Sequence, residues 1–181
     1  YLKAYYPAQF LAAVISNNHG FYSRDSYINE ARRWGIRILP IDINRSGIKY
    51  QGKHNWIQPG LMHIRSLSQK GQEAVVQERE RNGAFRNLED FIHRTDVHRH
   101  EIEKLVLVGA FDGFGLTQPE SLYLLDSLFK KKSRAMPSLF DDRFHFQELH
   151  PGLDDYTLTE RCLNELHLLG FMVSGNILDI L

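Results

Sequence analysis

From residue 61 onward the sequence keeps starting helices and stopping them within a few turns. Ser68, Asn87, Thr117 and Thr157 each stand just before a stretch of apolar periodicity. Each can accept a hydrogen bond from one of the amides that a helix start leaves without a carbonyl. Thr117 with Glu120, and Thr157 with Glu160, have the three-residue spacing of a capping box. The spacing predicts helices from Ser68 to about Arg81, from Asn87 with Leu88, Phe91 and Ile92 inward, and over 98–108 with Ile102, Leu105 and Val106 inward. Two more are predicted over 119–129 and 159–169. The helices at 69–81 and 98–108 read as two halves of a pseudo-symmetric pair, each reached through a tight turn.

The first sixty residues add a small β element. "YLKAYYPAQFLAAVIS" has helical spacing at Leu2, Tyr5 and Tyr6, and Pro7 divides it because proline removes a donor and clashes with the preceding turn. Ser23 caps the next helix, with Tyr27, Ile28, Ala31 and Trp34 on one face and Gly35 as the stop. "IRILP" is a short strand candidate, and the turn signals after it predict a hairpin around 52–55. The fold class is therefore mostly α with a small β element. The chain opens in helical pattern without a cap and without Met, as a piece taken from the middle of a longer protein would.

Charge is uneven along a neutral chain. Residues 1–60 carry eight Lys/Arg against three Asp/Glu, a balance of +5, while residues 135–181 carry two against eight, a balance of −6. Such a gradient permits contact with a polyanion. No apolar run nears a membrane span, nothing at the start resembles a signal peptide, and a single Cys162 suits a reducing, cytoplasmic setting. Cys162, among Leu163, Leu166 and Leu169, reads as buried packing.

Few residues carry the pattern of an active site. "HRTDVHRHE" gathers His93, Asp96, His98, His100 and Glu101, but residues two apart on a helix diverge by about 200°, so His98 and His100 read as a polar helix start. Asp141/Asp142 and Asp154/Asp155 read as solvated loop acids. No Walker loop, nucleophile elbow or CxxC is present. The sequence predicts no catalytic residue, bound metal or cofactor of its own. What remains is "IRSLSQKG". A turn leading into a helix aims free amides outward, where the helix dipole adds about half a positive charge. Arg65 and Lys70 flank it. Ser68 can therefore hold a phosphate or simply cap the helix.

"YLKAYYPAQFLAAVIS", "EARRWGIRILPIDINRSGIKY", "GAFRNLEDFIHRTDVHRHEIEKLVLVGAFDGFG", "SLF" and "ERCLNELHLLGFMVSGNILD" resemble, in order and over nearly the whole chain, the bacterial C-family DNA polymerases, the alpha subunits of DNA polymerase III and their error-prone relatives. The resemblance implies the end of the fingers region over 1–60, a tandem helix-hairpin-helix module over 61–132, a linker over 133–156, and over 157–181 a helix leading toward an OB-fold region. The palm aspartates that hold two magnesium ions would lie upstream. The parent would be a DNA-directed DNA polymerase, with this piece its duplex-gripping, non-catalytic portion, or alternatively a protein-interaction scaffold with little DNA contact. Its implied partners are duplex DNA, the rest of the polymerase and, through the parent, the sliding clamp and other replisome subunits.

The family's Lys-Gly-Val-Gly turn reads Arg65-Ser66-Leu67-Ser68 here, with both glycines replaced by serine. The resemblance places DNA contacts on Arg65, Ser66, Leu67, Ser68, Gln69, Lys70 and Gly71, and on His98 and Arg99 at a second hairpin over 96–99. Asn44, Arg45 and Ser46 match an "NRS" loop, where Asn44 can equally serve to turn the chain. In "SGNILD", Asn176 and Ile177 replace the family's His and Pro. Leu139 and Phe140 read as an apolar anchor for the linker, and "KKKSR" as a DNA contact or a solvated helix end.

Overall fold

A computed structural model describes residues 2–17, 22–133 and 152–175. Eight α-helices are described: α1 Leu2–Tyr5, α2 Pro7–Asn17, α3 Arg24–Arg33, α4 Gln69–Asn82, α5 Leu88–Arg94, α6 Arg99–Leu107, α7 Gln118–Ser133 and α8 Leu158–Leu169. Three short strands, β1 Arg37–Ile38, β2 Gln51–Lys53 and β3 Trp56–Gln58, form a sheet in the order β1-β3-β2. β2 and β3 are the antiparallel hairpin expected around 52–55, and β1 joins β3 in parallel with Arg37 opposite Trp56. Among the described residues, no helix is long and apolar enough to cross a membrane.

The predicted caps are in place. Side-chain oxygens of Ser23, Ser68, Asn87, Thr117 and Thr157 accept the amides of Ser26, Gly71, Asp90, Glu120 and Glu160. Pro7 opens α2, where its missing N–H costs nothing. α2 packs across β2 and β3 so closely that a Cβ on Gly52 would stand 2.1 Å from the carbonyl oxygen of Ala8. Only a residue without a side chain fits there.

One apolar core runs from Ala8 and Leu11 through Ile28, Ile57, Phe91 and Leu105 to Phe171. A file of aromatic rings reinforces its middle, with centroids 4.9 Å apart from Phe85 to Phe91 and 5.1 Å from Phe91 to Phe111. The loop between β1 and β2 is tied to α4 and to the segment that joins α4 to α5. Arg79 donates to the carbonyls of Ile43 and Ser46, while Asn44 exchanges two hydrogen bonds with the backbone of Phe85. The Asn44 side chain thus pins this loop to a distant segment rather than turning it. The turn is made by Asp42, whose carboxylate accepts the Asn44 amide and whose carbonyl accepts those of Arg45 and Ser46. Buried Ser46 accepts from Gln58.

Several sequence expectations are corrected. Trp34 is not on the inward face of α3; it lies part-exposed with the Lys3 ammonium 4.7 Å from its ring centre. Cys162 is fully buried, but Leu163 and Leu166 are exposed, because α8 buries the stripe Cys162, Glu165, Leu168 and Leu169 instead. Asp155 is no idle loop acid: it pairs with Arg161 at 2.8 Å and accepts the amide of Gln118, joining α8 to the start of α7. Helix α7 runs four residues past its expected end. Leu139, Phe140, Asp141, Asp142, Asn176 and Ile177 lie outside the described residues.

Candidate nucleic-acid interface

The first turn is built by a left-handed serine. Ser66 has φ +66°, a conformation that costs a residue with a Cβ and that glycine adopts freely. Ser66 thus takes the backbone conformation open to glycine at the position where the resemblance has one. Leu67 plugs the turn into the core, its amide donating to the Ile64 carbonyl and its carbonyl accepting from buried Gln72. Arg65, Ser66, Ser68, Gln69 and Lys70 stay exposed. Gly71, one turn into α4, is buried.

Not every amide of this turn is free for a ligand. Arg65 donates its amide to the Leu168 carbonyl at 2.9 Å, so the C-terminal end of α8 backs the turn. Gly71 donates to the Ser68 hydroxyl at 3.0 Å, and Ser68 donates its own amide to the Glu101 carboxylate at 2.7 Å. The amides of Gln69 and Lys70, the first two residues of α4, have no carbonyl within the helix. The Lys70 ammonium stands 3.7 Å from Asp96 on the second turn, both side chains well exposed.

That second turn, Thr95 to Val97, leads into α6 through the cap residue His98. It has the same plan: an exposed turn, an apolar plug in Val97, and a helix start whose first two amides, Arg99 and His100, have no intrahelical partner. His98 donates its amide to the other oxygen of Glu101 at 3.1 Å. The rings of His98 and His100 do not diverge as expected; they stack 5.8 Å apart at 12°, because His98 is extended at the cap rather than helical. The exposed Arg99 guanidinium is held by Glu103 and Asp126, each at 3.0 Å, and these partners raise its pKa.

The two turns expected on sequence grounds therefore lie side by side, joined by Glu101. Burial works against its charged form, but the bonds from Ser68 and His98 outweigh it and lower its pKa. The sequence reading placed Glu101 only in a histidine-rich cluster; its position three residues after His98 was the signal for a capping role. Arg94 was also missed. It bonds Glu78 and Asp90 and the carbonyls of Gly83 and Ala84, and lies over the Phe85 ring, so it fixes the connection between α4 and α5. Lys130, the one described cation of the "KKKSR" run whose side chain is placed, pairs with Asp126. Among the described residues, no three His, Cys, Asp or Glu side chains form a group that could hold a metal ion. The magnesium ions implied for a polymerase parent find no donor set in those residues.

Comparison with known proteins agrees with this geometry. A family described as the helix-hairpin-helix motif matches residues 35–121, which include both turns. The chain is 39% identical over 119 residues to the DNA polymerase III subunit alpha of Thermus aquaticus, covering 64% of this chain and 10% of that protein. It is 32% identical over 195 aligned residues to the subunit alpha of Borreliella burgdorferi, covering 99% and 17%, and 29% identical to that of Campylobacter jejuni, covering 99% and 16%. The chain thus spans no more than about a sixth of these relatives' length.

Proposed function

The chain belongs to the DNA polymerase III alpha-subunit family, and from that premise we propose that it grips duplex DNA by its sugar–phosphate backbone, without reading sequence and without catalysing a reaction itself. The observation that carries the reading is the pair of adjacent helix starts, α4 and α6, whose exposed first residues, with amides unpaired within the helix, lie within the residues that match the helix-hairpin-helix motif. Backbone amides at such positions suit phosphate oxygens and carry no base information. In this reading residues 1–60 close a fingers region, 61–132 are the DNA-gripping module, 133–156 a linker and 157–181 the approach to an OB-fold region. Template-directed synthesis, its magnesium ions, and contacts with the sliding clamp and other replisome subunits belong to the parent polymerase.

A scaffold role is the second reading, and one observation favours it: Lys70 and Arg99 already face acidic partners, which dilutes the positive field at the turns. Fluorescence anisotropy with a labelled primer–template duplex separates the two. Duplex binding predicts affinity that is indifferent to sequence, falls linearly on a log–log plot against salt, and weakens in the Arg65→Ala/Lys70→Ala variant. Binding unchanged by that double substitution, or no binding at low salt, overturns it.

A further inference from the structure

This inference rests on the duplex-binding reading and concerns how the two turns act together. Both are tied to one carboxylate. Glu101 is 2% exposed, with Oε1 accepting the amide of Ser68 at 2.7 Å and Oε2 that of His98 at 3.1 Å. Ser68 caps α4 and His98 caps α6, so a single side chain spans the starts of two helices. Its hydrogen bonds go to these two amides and to the Ser68 hydroxyl rather than to a lysine or arginine. Gly71 leaves it room, since a Cβ there would stand 3.1 Å from Oε1. The Lys70–Asp96 pair bridges the same two turns from outside. The helix-hairpin-helix match, which covers both turns, independently points to nucleic acid as what they face.

We propose that Glu101 is a positioning residue that holds the two turns at one spacing, so that the first-turn amides of Gln69 and Lys70 and those of Arg99 and His100 engage phosphates as a single two-pronged clamp. The physical reason is effective concentration. Once one turn holds its phosphate, a rigidly linked second turn meets the next phosphate without a further loss of freedom. Glu101 also carries a negative charge beside the phosphate path, which by itself weakens binding. The two effects have opposite signs, so removing the carboxylate tells them apart.

The test uses the 181-residue chain and its Glu101→Gln variant. Glutamine keeps the size, but its one carbonyl oxygen serves one amide and its NH2 faces the other donor, so one turn is released. Hydrogen exchange is expected to show faster exchange at Ser68 or His98 with the amides of Val75 and Leu105 unchanged. Duplex affinity is expected to fall about tenfold, and the salt slope to become shallower by about one to two, because one turn's phosphates drop out. Equal or tighter binding with an unchanged slope overturns the clamp and leaves Glu101 as a like charge only. Retained protection at both amides overturns the latch itself.

A second measurement does not depend on the variant folding. Proline at the first helical position removes the amide and suits the helix, and both preceding residues are extended as proline requires, with ψ 156° at Ser68 and 147° at His98. A cycle of Gln69→Pro and Arg99→Pro is expected to show losses that are non-additive by about threefold or more; additive losses overturn the clamp. If the unaltered chain shows no salt-dependent duplex binding, the functional reading fails. If it binds normally but these variants show no coupling, the clamp alone fails.

Discussion

Replacing Asn44 by alanine should destabilise the chain by about 3 kcal/mol without changing what it binds. The Asn44 amide spans two strands of chain far apart in sequence: Nδ2 donates to the Phe85 carbonyl at 2.9 Å, and Oδ1 accepts the Phe85 amide at 2.8 Å. Phe85 is only 3% exposed, so alanine would leave a buried donor and a buried acceptor without partners and with little water to replace them. Each net hydrogen bond is worth about 1 kcal/mol, and stranding a buried group adds about 1 more, giving roughly 2–4 kcal/mol in all. For a chain of this size, with a urea slope of roughly 2 kcal/mol/M, the unfolding midpoint should fall by about 1–2 M with the slope unchanged. Asn44→Asp is the sharper variant. One of its oxygens still accepts the Phe85 amide, but the other faces the Phe85 carbonyl, so it should be no better than alanine. A midpoint within about 0.2 M of wild type for the alanine variant, or a tolerated aspartate, would refute the argument that this side chain pins the loop.

Two further perturbations probe the core around the interface. Gly52→Ala would press a methyl group onto the Ala8 carbonyl, forcing α2 back by roughly 1 Å from the sheet, and should cost about 2–3 kcal/mol in the same urea experiment; a neutral result would show that α2 does not pack as described. His63 has both ring nitrogens buried without a partner and its pKa lowered to about 4, mainly by burial and further by Arg24. The unfolded chain takes up this proton near pH 6.5, so stability should fall as pH drops from about 6.5 to about 4 and the His63 contribution should level off below that. His63→Phe should flatten that part of the profile, and an unchanged slope across the window would count against a neutral, buried ring.

The helices were legible because their signals are local. A Ser, Thr or Asn cap and the amide it accepts lie within four residues of each other, so Ser68, Asn87, Thr117 and Thr157 could be read without knowing the fold. The hairpin of β2 and β3 was legible for the same reason. The parallel pairing of β1 with β3 was not, since Arg37 and Trp56 come from separate segments and their register is set by tertiary packing. Glu101 was legible by half: its spacing from His98 announces one hydrogen bond, while the other, to Ser68, spans 33 residues and belongs to tertiary structure. Leu163 and Leu166 misled because apolar periodicity shows where a stripe could form, and the buried stripe of α8 includes Glu165. That carboxylate accepts the amides of Val173 and Ser174, which an apolar count does not foresee.

The most direct test asks whether a main-chain amide at the start of α4 meets DNA. Gln69→Pro deletes one N–H at a position where proline suits the helix, leaving every cation of the turn in place. With helix content and melting temperature unchanged, duplex affinity at low salt is expected to fall about three- to tenfold. Unaltered affinity in a variant that folds normally would contradict the claim that these amides hold the phosphate backbone.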